Sequence, residues 1–189
     1  TWACSAWTCC HRPNAGSLAR PWAWALARMR DWLTRRFGKA RLLRWVLNLY
    51  LPYLGAGVRV RHISADFRDV QVCMGLGWYN RNYVGTQFGG SLYSMVDPFF
   101  MLMLMENLGP DYIVWDKAAT IDFIAPGRGP VFARLSIDQA LLDDVRQQTA
   151  TGEKYLPQWQ VEIHDGSGTL VARVDKTLYV RLKPPVRQA

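Results

Sequence analysis

NRNYVGTQFGGSLYSMVDPFF, residues 80–100, decides how this chain is read. Its three glycines (Gly85, Gly89, Gly90), two asparagines (Asn80, Asn82) and one aspartate (Asp97) lead into a run with hardly another polar side chain. Leu92, Met95, Val96, Phe99, Phe100, Met101, Leu102, Met103, Leu104 and Met105 leave a helix no solvent face, so protein must wrap it on every side. The pattern predicts one helix from Gly89 to Asn107, stopped by LGPD at residues 108–111. A lone carboxylate is costly to hold in such a helix, and Pro98 directly after Asp97 removes a helix hydrogen bond.

Around this helix the period changes to two. Val58 and Val60, then Val70, Val72, Met74 and Leu76, alternate with polar or small residues, which is strand periodicity. Beyond the helix, strand-like runs at 112–125, 130–139, 156–164 and 169–183 are punctuated by the turns APGRGP (125–130) and DGSG (165–168). Val131, Ala133, Leu135 and Ile137 alternate with Phe132, Arg134, Ser136 and Asp138, so one sheet face is buried. Strands, one oily helix and strands again make an α+β domain, a curved antiparallel sheet wrapped around one long central helix. His62 and His164 read as strand-surface residues. Trp115-Asp116-Lys117 reads as a strand bend without chemistry.

Upstream, Trp22, Ala25, Leu26, Met29, Leu33 and Phe37 keep helical spacing opposite a row of arginines; Gly38 interrupts them, and Leu42, Trp45, Val46 and Leu49 resume until LPYLGAG (51–57) ends the pattern. The chain of 189 residues is half hydrophobic, enough for one domain with appendages. The expected division is a tail over 1–19 (unstructured or vector-derived), a basic amphipathic helical extension over 20–54, the main domain over 55–183 and a tail over 184–189. The formal charge of +8 is local: nine of the 23 Lys/Arg and one of the 15 Asp/Glu lie in residues 1–57. A basic face opposite a Trp/Leu face suits peripheral membrane contact or packing on protein, and packing is the commoner case. Basic charge without aromatic platforms in the neutral part argues against nucleic acid.

Cys4, Cys9 and Cys10 crowd the first ten residues, which points to a reducing, cytoplasmic setting rather than a disulfide scaffold. Beside His11 they lack the separated pairs of a structural zinc site, so no metal is expected. No apolar run reaches the ~20 residues of a membrane span. GLGWYN (75–80) lacks the third glycine of a dinucleotide fingerprint, and the serine of GGSLY is out of frame for a nucleophile elbow.

What remains is a spacing: Asn82, five residues, Phe88-Gly89-Gly90, six residues, Asp97. With NRNYVGTQFGGSLYSMVDPFFMLML and DYIVWDKAATIDFIAPGRGPV it resembles the hotdog-fold acyl-CoA thioesterase superfamily, particularly the phenylacetyl-CoA and medium-chain acyl-CoA type. Nearest in pattern is a bacterial branch of uncharacterised proteins and tetrameric acyl-CoA thioesterases. The family motif has His-Gly-Gly, so Phe88 departs from it. The resemblance spans roughly residues 50–183. It implies a hotdog fold, a homodimer or a tetramer built from dimers, and hydrolysis of an acyl-CoA or acyl-carrier thioester at the dimer interface. No cofactor is implied beyond the coenzyme A thioester itself. In that scheme the Gly89 N–H meets the thioester carbonyl, Asp97 of the other subunit is base or nucleophile, and Asn82 orients the thioester or water. Phe88, Gly90, Arg81 and Arg128 flank the substrate, the arginines against coenzyme A phosphates. Phe99 and Met103 line an acyl tunnel. A non-catalytic acyl-CoA binder and a membrane-peripheral module acting through residues 20–50 are the alternatives. The enzymatic role requires Asp97 free of any internal salt link. On that condition Asp97→Asn should lower turnover by about 10²–10⁴, read as free-thiol release.

Overall fold

The computed structural model describes residues 36–184 together with 28, 32 and 34. Expectations for Cys4, Cys9, Cys10 and His11, for Trp22, Ala25, Leu26, Met29 and Leu33, and for residues 185–189 lie outside the described residues. The chain divides into two units, 1–36 and 37–189. In the first, the described residues 28, 32, 34 and 36 are helical.

The second unit is built on a six-stranded antiparallel sheet in the order β1-β2-β4-β5-β6-β3. Its strands are β1 (Val58–Ile63), β2 (Asp69–Met74), β3 (Tyr112–Phe123), β4 (Val131–Ser136), β5 (Gln158–Asp165) and β6 (Leu170–Leu182). Every strand-like run expected from alternation is present, because each can bury one face while the other meets solvent. Val58, Val60, Val72, Met74, Val131, Leu135, Ile163, Val174 and Leu178 are buried on that face. β3 is the exception: it pairs with β6 alone, and none of its twelve residues is buried.

Five helices complete the unit: α1 (Lys39–Leu49), α2 (Leu51–Ala56), α3 (Gly89–Ser94), α4 (Phe99–Leu108) and α5 (Gln139–Thr149). The predicted single helix over 89–107 is two pieces separated by a turn at 95–98. Pro98 is the reason. It has no N–H to donate, and its ring would meet the carbonyl of Ser94, where α3 ends. Both pieces stay in the core, with Leu92, Met95, Val96, Phe99, Phe100, Met103 and Leu104 buried. Two more differences concern helices. LPYLGAG does not merely end a helix: Leu51–Ala56 forms α2, with Pro52 in its first turn, where a missing N–H is harmless. α5 was not anticipated, although Asp138 marks its start by accepting from the Leu141 N–H at 2.8 Å, and Leu142, Val145 and Thr149 give it a buried stripe.

Gly38 interrupts the helical pattern as expected, with φ +80° at the cap of α1. α1 packs on β1, where the Asn48 amide pairs with both backbone groups of Val60, and Arg44 donates to the Arg61 carbonyl. Asn80 ties the loop after β2 to α2. Its Nδ2 donates to the Ala56 and Gly75 carbonyls at 3.0 and 2.7 Å, and its Oδ1 accepts from the Gly77 N–H at 2.7 Å. Gly57 must be glycine there: φ is +77°, and a Cβ would stand 2.5 Å from Asn80 Nδ2.

Asn80→Ala removes three hydrogen bonds and strands their backbone partners, so it should cost about 3 kcal/mol in urea unfolding. An unchanged midpoint would show that this amide does not anchor the loop.

Candidate functional site

The loop over residues 81–88 is shaped by its own polar groups. Gly85, at φ +83°, turns it back so that the Asn82 N–H reaches the Thr86 carbonyl at 2.8 Å. Asn82 Nδ2 donates to Thr86 Oγ1 at 2.8 Å and to the Gln87 carbonyl at 3.3 Å, while its Oδ1 accepts from the Thr86 N–H at 2.9 Å. The Asn82 amide nitrogen therefore has no hydrogen left for a substrate. Its place in the motif is that of a loop staple.

This loop, the start of α3 and the segment after β3 enclose a cleft of about 370 Å³, lined by Asn82, Thr86, Gln87, Gly89, Leu92 and residues 123–127. Asn82 and Gly89 thus line one cleft. No side chain caps α3, and the Gly89 and Gly90 N–H groups have no backbone acceptor among the described residues, as expected for a first helical turn. With only six residues, α3 has little dipole, so any anion affinity rests on the two N–H groups themselves. Aromatic rings crowd both glycines. A Cβ on Gly89 would lie 2.8 Å from Phe123 Cζ, and one on Gly90 would lie 2.5 Å from Phe88 Cε1. Both contacts are with the far ends of exposed rings that can swing aside, so packing alone does not require glycine at either position.

Gln87 was not singled out from the sequence. It is buried, its N–H donates to the Gly127 carbonyl, and its Nε2 donates to the Gly129 carbonyl at 3.0 Å. Its Oε1 has no partner among the described residues. Nothing in its sequence neighbourhood signals this, because the partners come from a turn some forty residues away.

Asp97 does not line the Gly89 cleft. The expected lone, unpaired carboxylate is not what the structure contains. Lys176 of β6, with its side chain 0 % exposed, reaches Asp97 Oδ1 at 2.9 Å and also donates to the Asp97 main-chain carbonyl. That carbonyl is available because the helix is broken at Pro98. On the other side Lys176 Nζ lies 3.0 Å from Asp116 Oδ1, an ion pair whose angle falls short of a hydrogen bond. Asp116 pairs with the buried Leu178 on the face that Tyr112 and Val114 turn to the core, and the register shift follows it, so the expected bend at Trp115-Asp116-Lys117 carries an ion pair.

The surroundings are polar for a core. Burial, opposed by Lys176, raises the Asp116 carboxyl above the ordinary aspartate value. Burial first, then the Asp97 carboxylate, raises the phenols of Tyr93 and Tyr53. The Tyr93 ring faces the ammonium at 5.5 Å. Asp97 itself remains 42 % exposed, and Oδ2 takes no bond from Lys176.

Other expected site residues separate into two groups. Phe88 and Gly90 are exposed at the cleft rim, and Arg81 and Arg128 are exposed on the two segments flanking it, in no salt bridge among the described residues. Phe99 and Met103 do not line a tunnel: both are 1 % exposed, and Phe99 packs on Tyr53. They are core because α4 faces the sheet.

Residues 38–180 match the family described as Domain of unknown function (DUF4442). No curated protein matches the chain. Among solved structures, the chain is similar to a Pseudomonas aeruginosa protein of unknown function, named a probable thioesterase. It shares 17 % identity and a TM-score of 0.65, over 75 % of this chain and 95 % of that one. A protein with unknown function from Chlorobaculum tepidum aligns with 16 % identity and a TM-score of 0.59, over 76 % and 94 %. A thioesterase from Haemophilus influenzae aligns with 14 % identity and a TM-score of 0.55, over 77 % and 92 %. At such identities the likeness is one of fold, and the fold is the hotdog fold of thioesterase-like proteins.

Lys176→Met should destabilise the chain by about 3 kcal/mol near neutral pH, because it leaves two carboxylates facing one another without their cation. The pH dependence has a defined sign. Asp116 binds its proton more tightly folded than unfolded, so that stabilisation is complete below the ordinary value of 3.8 and fades as pH rises through the raised one. Without Lys176 the fading is steeper, and the gap in urea midpoint between wild type and variant should widen from about pH 4 to about pH 7. A gap independent of pH would mean that the loss is one of packing alone.

Proposed function

Because the chain belongs to the DUF4442 family of domains of unknown function and has the hotdog fold, we propose that it binds acyl thioesters of the coenzyme A type, as a homo-oligomer, in the cleft beside Gly89. The observation that carries this reading is the cleft itself. The unbonded Gly89 N–H at the start of α3 opens among the apolar side chains of Leu92, Phe123 and Ile124, which suits a carbonyl attached to an acyl chain. Arg81 and Arg128, exposed on the flanking segments, are placed for the phosphates of a coenzyme A moiety. Dimerisation is supported by β3, a twelve-residue edge strand that bonds on one side only and leads into the cleft wall at Phe123.

Binding ranks ahead of turnover in this reading. Hydrolysis needs a base or nucleophile, and Asp97 fails the condition set for it, since Lys176 holds it in an internal salt link. Asn82 is spent on its loop. Phe88 supplies no polar group beside the carbonyl. Turnover is the second reading, favoured by one specific observation: Asp97 is 42 % exposed, with an oxygen free of Lys176 that could serve a neighbouring copy's cleft.

A panel of acyl-CoAs of graded chain length, with calorimetric binding and free-thiol release measured side by side, separates these readings. The expected result is saturable binding of at least one acyl-CoA, with thiol release that Asp97→Asn alters less than about tenfold. A loss of about 10²–10⁴ in turnover on Asp97→Asn would establish the hydrolase instead. Failure of every acyl-CoA to bind would remove both.

A further inference from the structure

The apolar surface furthest from solvent-like behaviour lies away from the cleft mouth, on α1, α2 and the loop after β2. α1 buries Ala40 and turns Leu43 and Leu47 toward the core, yet its other side carries Trp45, Val46 and Leu49, at the i, i+1, i+4 spacing of a second apolar stripe. The stripe continues through Tyr50 and Leu51 to Leu54 on α2. Trp45 is 63 % exposed and Leu51 78 %. Beside Leu54, Tyr79 packs edge-on against Trp78, which is 88 % exposed. Tyr79 lies against Gly57 and shares with Leu54 a groove of about 390 Å³. Tyr83 and Val84 extend the exposed apolar surface along the same loop.

Charge on this face has one sign. No Asp or Glu occurs between Asp31 and Asp66, or from Gly75 to Phe88. Those stretches carry Arg41, Arg59, Arg61 and Arg81, all exposed, and Arg59 and Arg61 line the groove beside Leu54 and Tyr79. Two acids come near from other elements and both are paired: Glu106 with Lys39 at 2.6 Å, and Glu162, which shares a groove with Arg61, with Arg173 at 3.1 Å.

We propose that this face docks the protein on an anionic lipid surface, with Trp45, Leu49, Leu51 and Trp78 entering the head-group region and the groove arginines meeting lipid phosphates. Tryptophan and tyrosine favour that boundary, where an apolar ring body and a polar edge are both satisfied. Charge decides between occupants. A second copy seated on the same face would set Arg41, Arg59 and Arg61 against their own equivalents, and a nucleic acid would leave Val46, Leu49 and Leu51 in water. A bilayer surface offers negative charge and apolar depth together. Apart from Arg81, which the thioester reading assigns to coenzyme A phosphates, docking uses no group of that reading, although the loop that presents Trp78 goes on to supply Asn82, Thr86 and Gln87 to the cleft.

The test is co-sedimentation of the full chain with vesicles of phosphatidylcholine alone and of phosphatidylcholine with about one third phosphatidylglycerol. Binding should require the anionic lipid and weaken as salt is raised. Trp45→Glu, Leu49→Glu and Leu51→Glu together should lower apparent affinity by at least about tenfold. Trp78→Ser with Tyr83→Ser, on a separate segment, should lower it several-fold and keeps the test decisive if the first variant fails to fold. The proposal is overturned if the full chain stays in the supernatant with anionic vesicles. It is equally overturned if the folded variants bind like wild type, which would move the anchor elsewhere. If the glutamate variant instead dissociates an oligomer while wild type ignores vesicles, the face belongs to a second copy and the proposal fails.

Discussion

The ammonium of Lys176 holds the two halves of this structure in register. A buried cation must be compensated by opposite charge and hydrogen bonds, and here the compensation comes from three directions. The break at Pro98 releases the Asp97 carbonyl, the Asp97 side chain turns back to join it, and strand alternation in β3 points Asp116 inward opposite Leu178. The central helix, the inner strand β6 and the edge strand β3 thus converge on one atom. Where Asp97 points and how α4 begins follow from that convergence.

Its consequence reaches the chemistry. In the family motif, Asn82, Gly89 and Asp97 are taken as groups that face a substrate. In this chain two of the three have partners of their own: Asn82 has Thr86 and Gln87, and Asp97 has Lys176. What stays open is the pair of N–H groups at the start of α3 and one carboxylate oxygen. That inventory suits holding a carbonyl better than attacking one, since the buried Lys176 ammonium already engages the Asp97 carboxylate. The hotdog fold brings these groups near a single-sided edge strand and does not by itself dictate which reaction they perform.

Charge and apolar surface are segregated in a second way. The sheet and its long strands are close to neutral, whereas α1, α2 and the loop after β2 combine exposed rings with arginines only. Helix α1 is apolar on two sides, so packing on β1 satisfies just one of them. Among the described residues no helix is long and apolar enough to cross a bilayer.

Period-two alternation marked β1, β2 and β4, where burial of one sheet face leaves a local signature, and the flanking turns marked out the runs that became β3, β5 and β6. Burial likewise marked the core helix in the oil of residues 92–105. α5 went unseen, since its buried stripe of Leu142, Val145 and Thr149 is short and ends in a polar residue. Phe99 and Met103 were misplaced because an all-round apolar helix does not say which side faces sheet and which faces ligand. Gln87 and Lys176 could not be found at all, as their partners lie some forty and eighty residues away in the chain. By itself, then, the sequence determined what is set by neighbours a few residues apart: strand faces, turns, the oily helix and the proline that breaks it. Only the tertiary structure decided that Asp97 is paired, because an ion pair is a meeting in space between segments that carry no local mark of one another.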